Sequence, residues 1–263
     1  MRVLFIGDVF ADIGRRVLAE RLESLLCERH IDVCVANGEN VAGGRGITHP
    51  LYSKLRSYGI QVVTGGNHSF ANKDVRDAFL CEPYLLRPAN FPKGNAGRGS
   101  ALYHLSDGRT LGIINVQGRI FFNEHLECPL RTAEAAVAEL AAETKMIFVD
   151  IHAEASSEKL ALAHYLDGRV SAVVGTHTHV QTADERILPG GTAFLTDVGM
   201  TGPEYSVIGM KKDTIIKKFL LQTHQRFEPA TMGPMLNAVV IEIDDSSGKA
   251  VGIERVFERL EFK

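Results

Sequence analysis

The chain has 263 residues, 45% of them hydrophobic and 23% charged, with a formal net charge of −3. That balance is ordinary for a soluble globular protein and excludes a basic face for non-specific DNA binding. No run approaches the roughly 20 apolar residues of a membrane-spanning helix, no signal-peptide core follows Arg2, and Cys27, Cys34, Cys81 and Cys128 form no CxxC pair; free thiols in a reducing cytoplasm are expected.

Val3–Ile6 is a continuous apolar run stopped by Gly7, as expected of a buried parallel strand. The spacing of Val17, Leu18, Leu22, Leu25 and Leu26 predicts a helix over 14–29. Strands follow at 33–36 and 61–64. Between them a short helix runs to Tyr58, with Thr48 as N-cap and Pro50 in its first turn. Asn72 is expected to cap a helix reaching Leu80. This β-α-β-α-β-α order implies parallel strands with right-handed crossovers, whose ligand crevice lies beyond the strands' carboxyl ends.

Further along, 100–105 and 111–116 read as a hairpin across Asp107-Gly108. A loop over 117–129 carries Phe121-Phe122. A helix at 132–143, a strand at 146–150, a helix at 157–166 and strands at 170–174 and 193–196 follow. A late helix spans 212–221, and 237–243 with 251–257 form an antiparallel C-terminal hairpin. No repeat or linker divides the chain, so one α/β domain over 1–263 is expected, with mostly parallel strands and helices outside.

Five of the strand ends carry potential ligands: Asp8; Glu39-Asn40; Asn67-His68; His152; and His177 with His179. On an extended loop the last two would point the same way. Packing does not require such a series. Nitrogen and oxygen donors without thiolates suit Zn, Mn, Fe or Co. There are more donors than one tetrahedral ion uses, whereas two ions ~3.5–4 Å apart, bridged by a carboxylate, would use them all. Two divalent ions against Asp8 and Glu39 leave positive charge for a phosphate ester and a metal-bound hydroxide.

The series Gly7-Asp8, Asn37-Gly-Glu-Asn40, Gly66-Asn-His68, His152 and Gly175-Thr-His-Thr-His179 resembles the calcineurin-like metallophosphoesterase superfamily. Asp150-Ile-His-Ala-Glu-Ala155 with Ser157-Glu-Lys159, Val174–Asp184 and Thr196-Asp-Val-Gly-Met-Thr-Gly202 resemble its YmdB-like branch. The resemblance implies a layered metallophosphoesterase fold and two ions (Fe, Mn or Zn). Glu39 would bridge them. Asp8, Asn40 and His179 would hold one, and Asn67, His152 and His177 the other. His68 would be the general acid. It further implies phosphodiesterase activity on 2',3'- or 3',5'-cyclic nucleotides and a homo-oligomer. The superfamily's Asp-x-His is here Asp8-Val9-Phe10, and the acid that usually follows the aromatic after Gly-Asn-His is absent, since Phe70 is followed by Ala71.

Two other readings compete: a phosphomonoesterase on the same scaffold, and a metal-binding regulatory protein with incidental phosphatase activity. A Rossmann enzyme is disfavoured because Gly7 and Gly14 do not make GxGxxG. Glu154 is a candidate partner for a ligand histidine, and Arg45 and Arg119 for a phosphate. Phe121-Phe122 could stack on a base, but packing in the core or between subunits is the favoured reading. His49, His104, His125, His164 and His224 have no companion motif.

Overall fold

The computed structural model describes residues 1–262. The chain runs β1 (Arg2–Ile6), β2 (Asp8–Val9), α1 (Ala11–Glu28), β3 (Val33–Asn37), α2 (His49–Ser57), β4 (Val62–Thr64) and α3 (Val75–Cys81). It continues β5 (Ser100–His104), β6 (Thr110–Gln117), α4 (Pro129–Leu140), β7 (Ile147–His152), α5 (Ser156–Leu166), β8 (Ala172–Thr176), β9 (Arg186–Ile187) and β10 (Ala193–Leu195). Then come β11 (Met200–Pro203), α6 (Lys212–Leu221), β12 (Pro234–Ile243) and β13 (Ala250–Arg259).

Two sheets form. One has the order β2-β11-β12-β1-β3-β4, with β13 on β12; the other is β5-β6-β7-β8-β10-β9. Parallel pairing joins β1-β3-β4 and β6-β7-β8-β10. The C-terminal hairpin is more than an appendage. β12 lies antiparallel to β13 along one side and, along the other, to β1 and then β11, so the last strands extend the first sheet.

The strand period of two sorts the apolar residues into layers. Leu4 and Ile6 pack outward with α1, while Val3 and Phe5 face inward. In β7, Ile147, Val149 and Ile151 pack with α4 and α5, while Phe148 faces inward. The inward sets of both sheets meet in one core, where the rings of Phe5 and Phe148 stack at 5.1 Å. The result is helix–sheet–sheet–helix. Continuing each inward row toward the carboxyl ends replaces apolar residues by Asn37, Thr64, Asn115, Asp150, His152 and Thr176, all buried. The polar site therefore grows out of the inter-sheet core by the same alternation that builds it.

Three details depart from the sequence expectations. α1 starts at Ala11: Gly14 is already inside the helix, its N–H donating to the Phe10 carbonyl at 2.9 Å. α3 is capped at Asp74; the Asn72 side chain instead donates to the carbonyls of Arg45 and Ile47. α4 starts at Pro129, where the ring's fixed φ suits a first helical position. The short strands β2, β9 and β11 carry too few residues for a periodic signal. Among the described residues no helix is long and apolar enough to cross a membrane.

Candidate metal centre

All seven expected ligands lie where the two sheets' carboxyl ends meet. Asp8, Glu39 and His152 are at most 1% exposed, and Asn40 and His179 are buried. Glu39 Oε1 is 3.2 Å from His152 Nε2 and 2.9 Å from Asn40 Nδ2. On one side, His152 Nε2 is 3.0 Å from Asn67 Oδ1 and 3.0 Å from His177 Nδ1. On the other, His179 Nε2 is 3.1 Å from Asn40 Nδ2 and 3.9 Å from Asp8 Oδ1. One oxygen of Glu39 and one ring nitrogen each of His152 and His177 fall within 4.8 Å of one another.

Hydrogen bonds fix the tautomers. Thr176 Oγ1 donates to Asp150 Oδ1 at 2.9 Å, so it accepts from His152 Nδ1 at 2.9 Å. The His152 Nε2 lone pair then points into the site. His179 Nδ1 donates to the Ile208 carbonyl at 2.9 Å, again leaving Nε2 inward. His177 Nε2 lies 3.1 Å from Glu154 Oε2, and its Nδ1 faces His152 Nε2 at 3.0 Å. Glu39 Oε1 and Asn67 Oδ1 are acceptors, and the ring nitrogens His152 Nε2 and His177 Nδ1 join them as acceptors when unprotonated. A cation satisfies such a set, as does a proton on His152 Nε2.

The electrostatics agree. Burial works against charging His152, yet Glu39 in contact, with Asp8 and Asp150, outweighs it and lifts the pKa to about 9. In the absence of a metal a proton takes the cation's place on Nε2. Burial and the neighbouring His152 push His177 down to about 3. Asp8 is raised by burial, and Glu39, although buried, is held well below the usual carboxylate range by His152. Neither carboxylate forms an ion pair with Lys or Arg among the described residues.

The loop after β8 is not extended. His177 (φ 102°) and His179 (φ 66°) both occupy the left-handed region. That conformation costs ~1–3 kcal/mol per residue. It turns the two imidazoles to different sides of Glu39 rather than to one shared point.

Asn40 needs one adjustment for ligation. Its Nδ2 hydrogens now face Asp8, Glu39 and His179, while Oδ1 is 3.1 Å from His68 Nδ1. Turning the amide round presents Oδ1 inward and Nδ2 to His68. His68 itself is half-buried; its backbone N–H donates to Glu39 Oε2 at 3.0 Å, and its Nε2 has no protein partner among the described residues. Asn40 and Glu39 thus orient it without an acid at position 71. Phe10 stands edge-on to His179 at 5.7 Å.

A cavity of about 400 Å³ opens over these groups. One wall carries Glu39, Asn40, His68, His177 and His179, and the facing wall Ile208, Met210, Ile215 and Phe227. Arg45 and Arg119 are exposed and do not line it. Phe121 is 84% exposed, and Phe122 leans on the His177 ring at 4.9 Å. His49, His104, His125, His164 and His224 lie outside the cluster.

Sequence reading missed the buried network behind the ligands, formed by Asn37, Thr64, Asn115, Asp150 and Thr176. The available signal was polar residues at the inward phase of otherwise apolar strands.

The sequence profile of the YmdB-like protein family matches residues 4–256. A 2',3'-cyclic-nucleotide 2'-phosphodiesterase of Bacillus subtilis (strain 168) is 49% identical over 256 residues, covering 97% of this chain and 96% of its own. A solved structure of a hypothetical protein from Thermus thermophilus has a TM-score of 0.91 at 41% identity, covering 98% of this chain and 99% of its own. The crystal structure of a phosphatase from Mycoplasma pneumoniae has a TM-score of 0.92 at 32% identity, with 98% and 93% covered. With its site at the meeting of two sheet ends and these likenesses along nearly its whole length, the chain belongs to the YmdB-like protein family, a branch of the metallophosphoesterase superfamily.

Proposed function

We propose that the chain is a two-metal phosphodiesterase that opens 2',3'-cyclic nucleotides at the 2' ester. The carrying observation is the convergence of acceptor atoms on either side of Glu39. Asp8, Asn40 and His179 would hold one ion, Asn67, His152 and His177 the other, with Glu39 between; Fe, Mn or Zn suits these donors. When bound, such ions supply an acidified water and neutralise the phosphoryl oxygens. His68 Nε2 faces the cleft and gives its proton to O2' as the P–O2' bond breaks, leaving a 3'-phosphate. The apolar wall of Met210, Ile215 and Phe227 is suited to a nucleobase. The Bacillus relative's printed activity, on a 2',3'-cyclic nucleotide, supports the substrate class.

In this reading the enzyme works in the cytoplasm, in keeping with its four free cysteines. It assembles as a homo-oligomer, since α6 leaves Phe219 and Leu220 at least 70% exposed. The test is a substrate panel with added Mn²⁺, alongside metal analysis. A 2',3'-cyclic nucleotide should be turned over faster than a nucleoside monophosphate. Equal or better monoester turnover would replace this reading with a phosphomonoesterase.

A further inference from the structure

We propose that the buried Lys159–Asp197 ion pair is a strap that holds His177 and His179 in place and so sets the affinity of the site for its ions. It rests on the two-metal reading above.

Lys159, in the first turn of α5, and Asp197, just beyond β10, are both fully buried, and Lys159 Nζ donates to Asp197 Oδ2 at 2.7 Å. Nothing about stability requires an ion pair here, since apolar residues of similar volume often serve a core equally well. Its geometry points elsewhere. Asp197 Oδ2 also accepts from the Thr178 backbone N–H at 3.1 Å, and Oδ1 accepts from Gly199 N–H at 2.8 Å. Thr178 is the residue between the two left-handed histidines. The next amide back, His177 N–H, donates to Asp8 Oδ2 at 3.0 Å. Two successive amides of the ligand loop are therefore tied to two buried carboxylates.

The loop's far end is tied to the same residue. Thr182 N–H donates to the Asp197 carbonyl at 3.0 Å, and Asp197 N–H donates to Thr182 Oγ1 at 2.9 Å. Residues 178–182 are thus clamped at both ends by Asp197. Left-handed non-glycine residues persist only where their surroundings over-determine them. A carboxylate can accept from Lys159, Thr178 and Gly199 together, which a carboxamide cannot, because one of its two atoms is a donor. Lys159 supplies the charge that lets that carboxylate stay ionised out of water. Its stem reaches Asp197 past Gly175, where a Cβ would lie 2.6 Å from Lys159 Cδ. The Gly175-Thr-His-Thr-His179 and Ser157-Glu-Lys159 motifs are parts of one device.

The test is titration of the metal-stripped full chain with Mn²⁺, paired with thermal melting of the metal-free protein. Lys159→Met with Asp197→Leu removes both charges and the loop's acceptor. Mn²⁺ affinity should fall about 10–100-fold while the metal-free protein still melts cooperatively. Lys159→Met with Asp197→Asn keeps one acceptor atom and should lose less affinity, about several-fold, in the same direction. Wild-type affinity in either variant that melts cooperatively overturns the proposal. So does collapse of both variants, which would make the pair a folding requirement. A wild-type chain that takes up no Mn²⁺ would overturn the two-metal reading and the strap with it.

Discussion

Thr176 Oγ1 accepts from His152 Nδ1 at 2.9 Å and, in turn, donates to Asp150. One hydroxyl therefore decides that Nδ1 of this buried histidine, an expected ligand, carries a hydrogen. Thr176→Val keeps the volume and removes the acceptor. Metal affinity should fall about 10–100-fold, the usual effect of losing the group that orients a ligand histidine. Direct metal titration checks this; unchanged affinity would show that the tautomer is set elsewhere.

His68 touches the expected ligands Asn40 and Glu39 and sits at the cleft. His68→Ala should therefore keep its metal content while the rate drops about 10²–10⁴-fold. Elemental analysis beside steady-state kinetics separates the two quantities. A variant that keeps its rate would leave His68 only a positioning role.

Phe227 is 45% exposed and lines the cavity opposite the ligands. Base–aromatic stacking is worth ~1–3 kcal/mol, so Phe227→Ala should raise KM for 2',3'-cyclic AMP about tenfold. Glycerol 1,2-cyclic phosphate, which has no base, should be unaffected. Equal effects on both substrates would argue that Phe227 shapes the cleft rather than binding a base.

Binding of metal should release a proton. Without metal His152 has its pKa lifted to about 9, so at pH 7 its Nε2 is protonated, whereas His177, pushed down to about 3, is already neutral. A ligand imidazole must be neutral, so affinity should rise about tenfold per pH unit below that value, and calorimetry in buffers of different ionisation heat should count about one proton. An affinity flat from pH 6 to 8 would contradict the assignment of His152.

Of the two readings of Phe121-Phe122, packing rather than base stacking describes Phe122. Their loop folds back so that Phe122 leans on His177, with Phe121 in solvent. The apolar wall comes instead from Met210, Ile215 and Phe227, which carry no motif and reach the cleft only because α6 and its flanking loops cross it.

What the sequence by itself determined was local. Apolar runs ending in Asp8, Glu39-Asn40, Asn67-His68, His152 and His177 named the strand ends and their donors, because side-chain chemistry and strand period are properties of short segments. The tertiary structure alone decided the rest. The facing of two sheets turned the inward phase of β3, β4, β6, β7 and β8 into a buried polar layer. The entry of β12 beside β1 extended the first sheet. The left-handed turns at His177 and His179 separated two imidazoles that an extended loop would have placed together. Each depends on contacts between residues far apart in the chain, such as Thr178 with Asp197 or His177 with Asp8, and no local pattern records those.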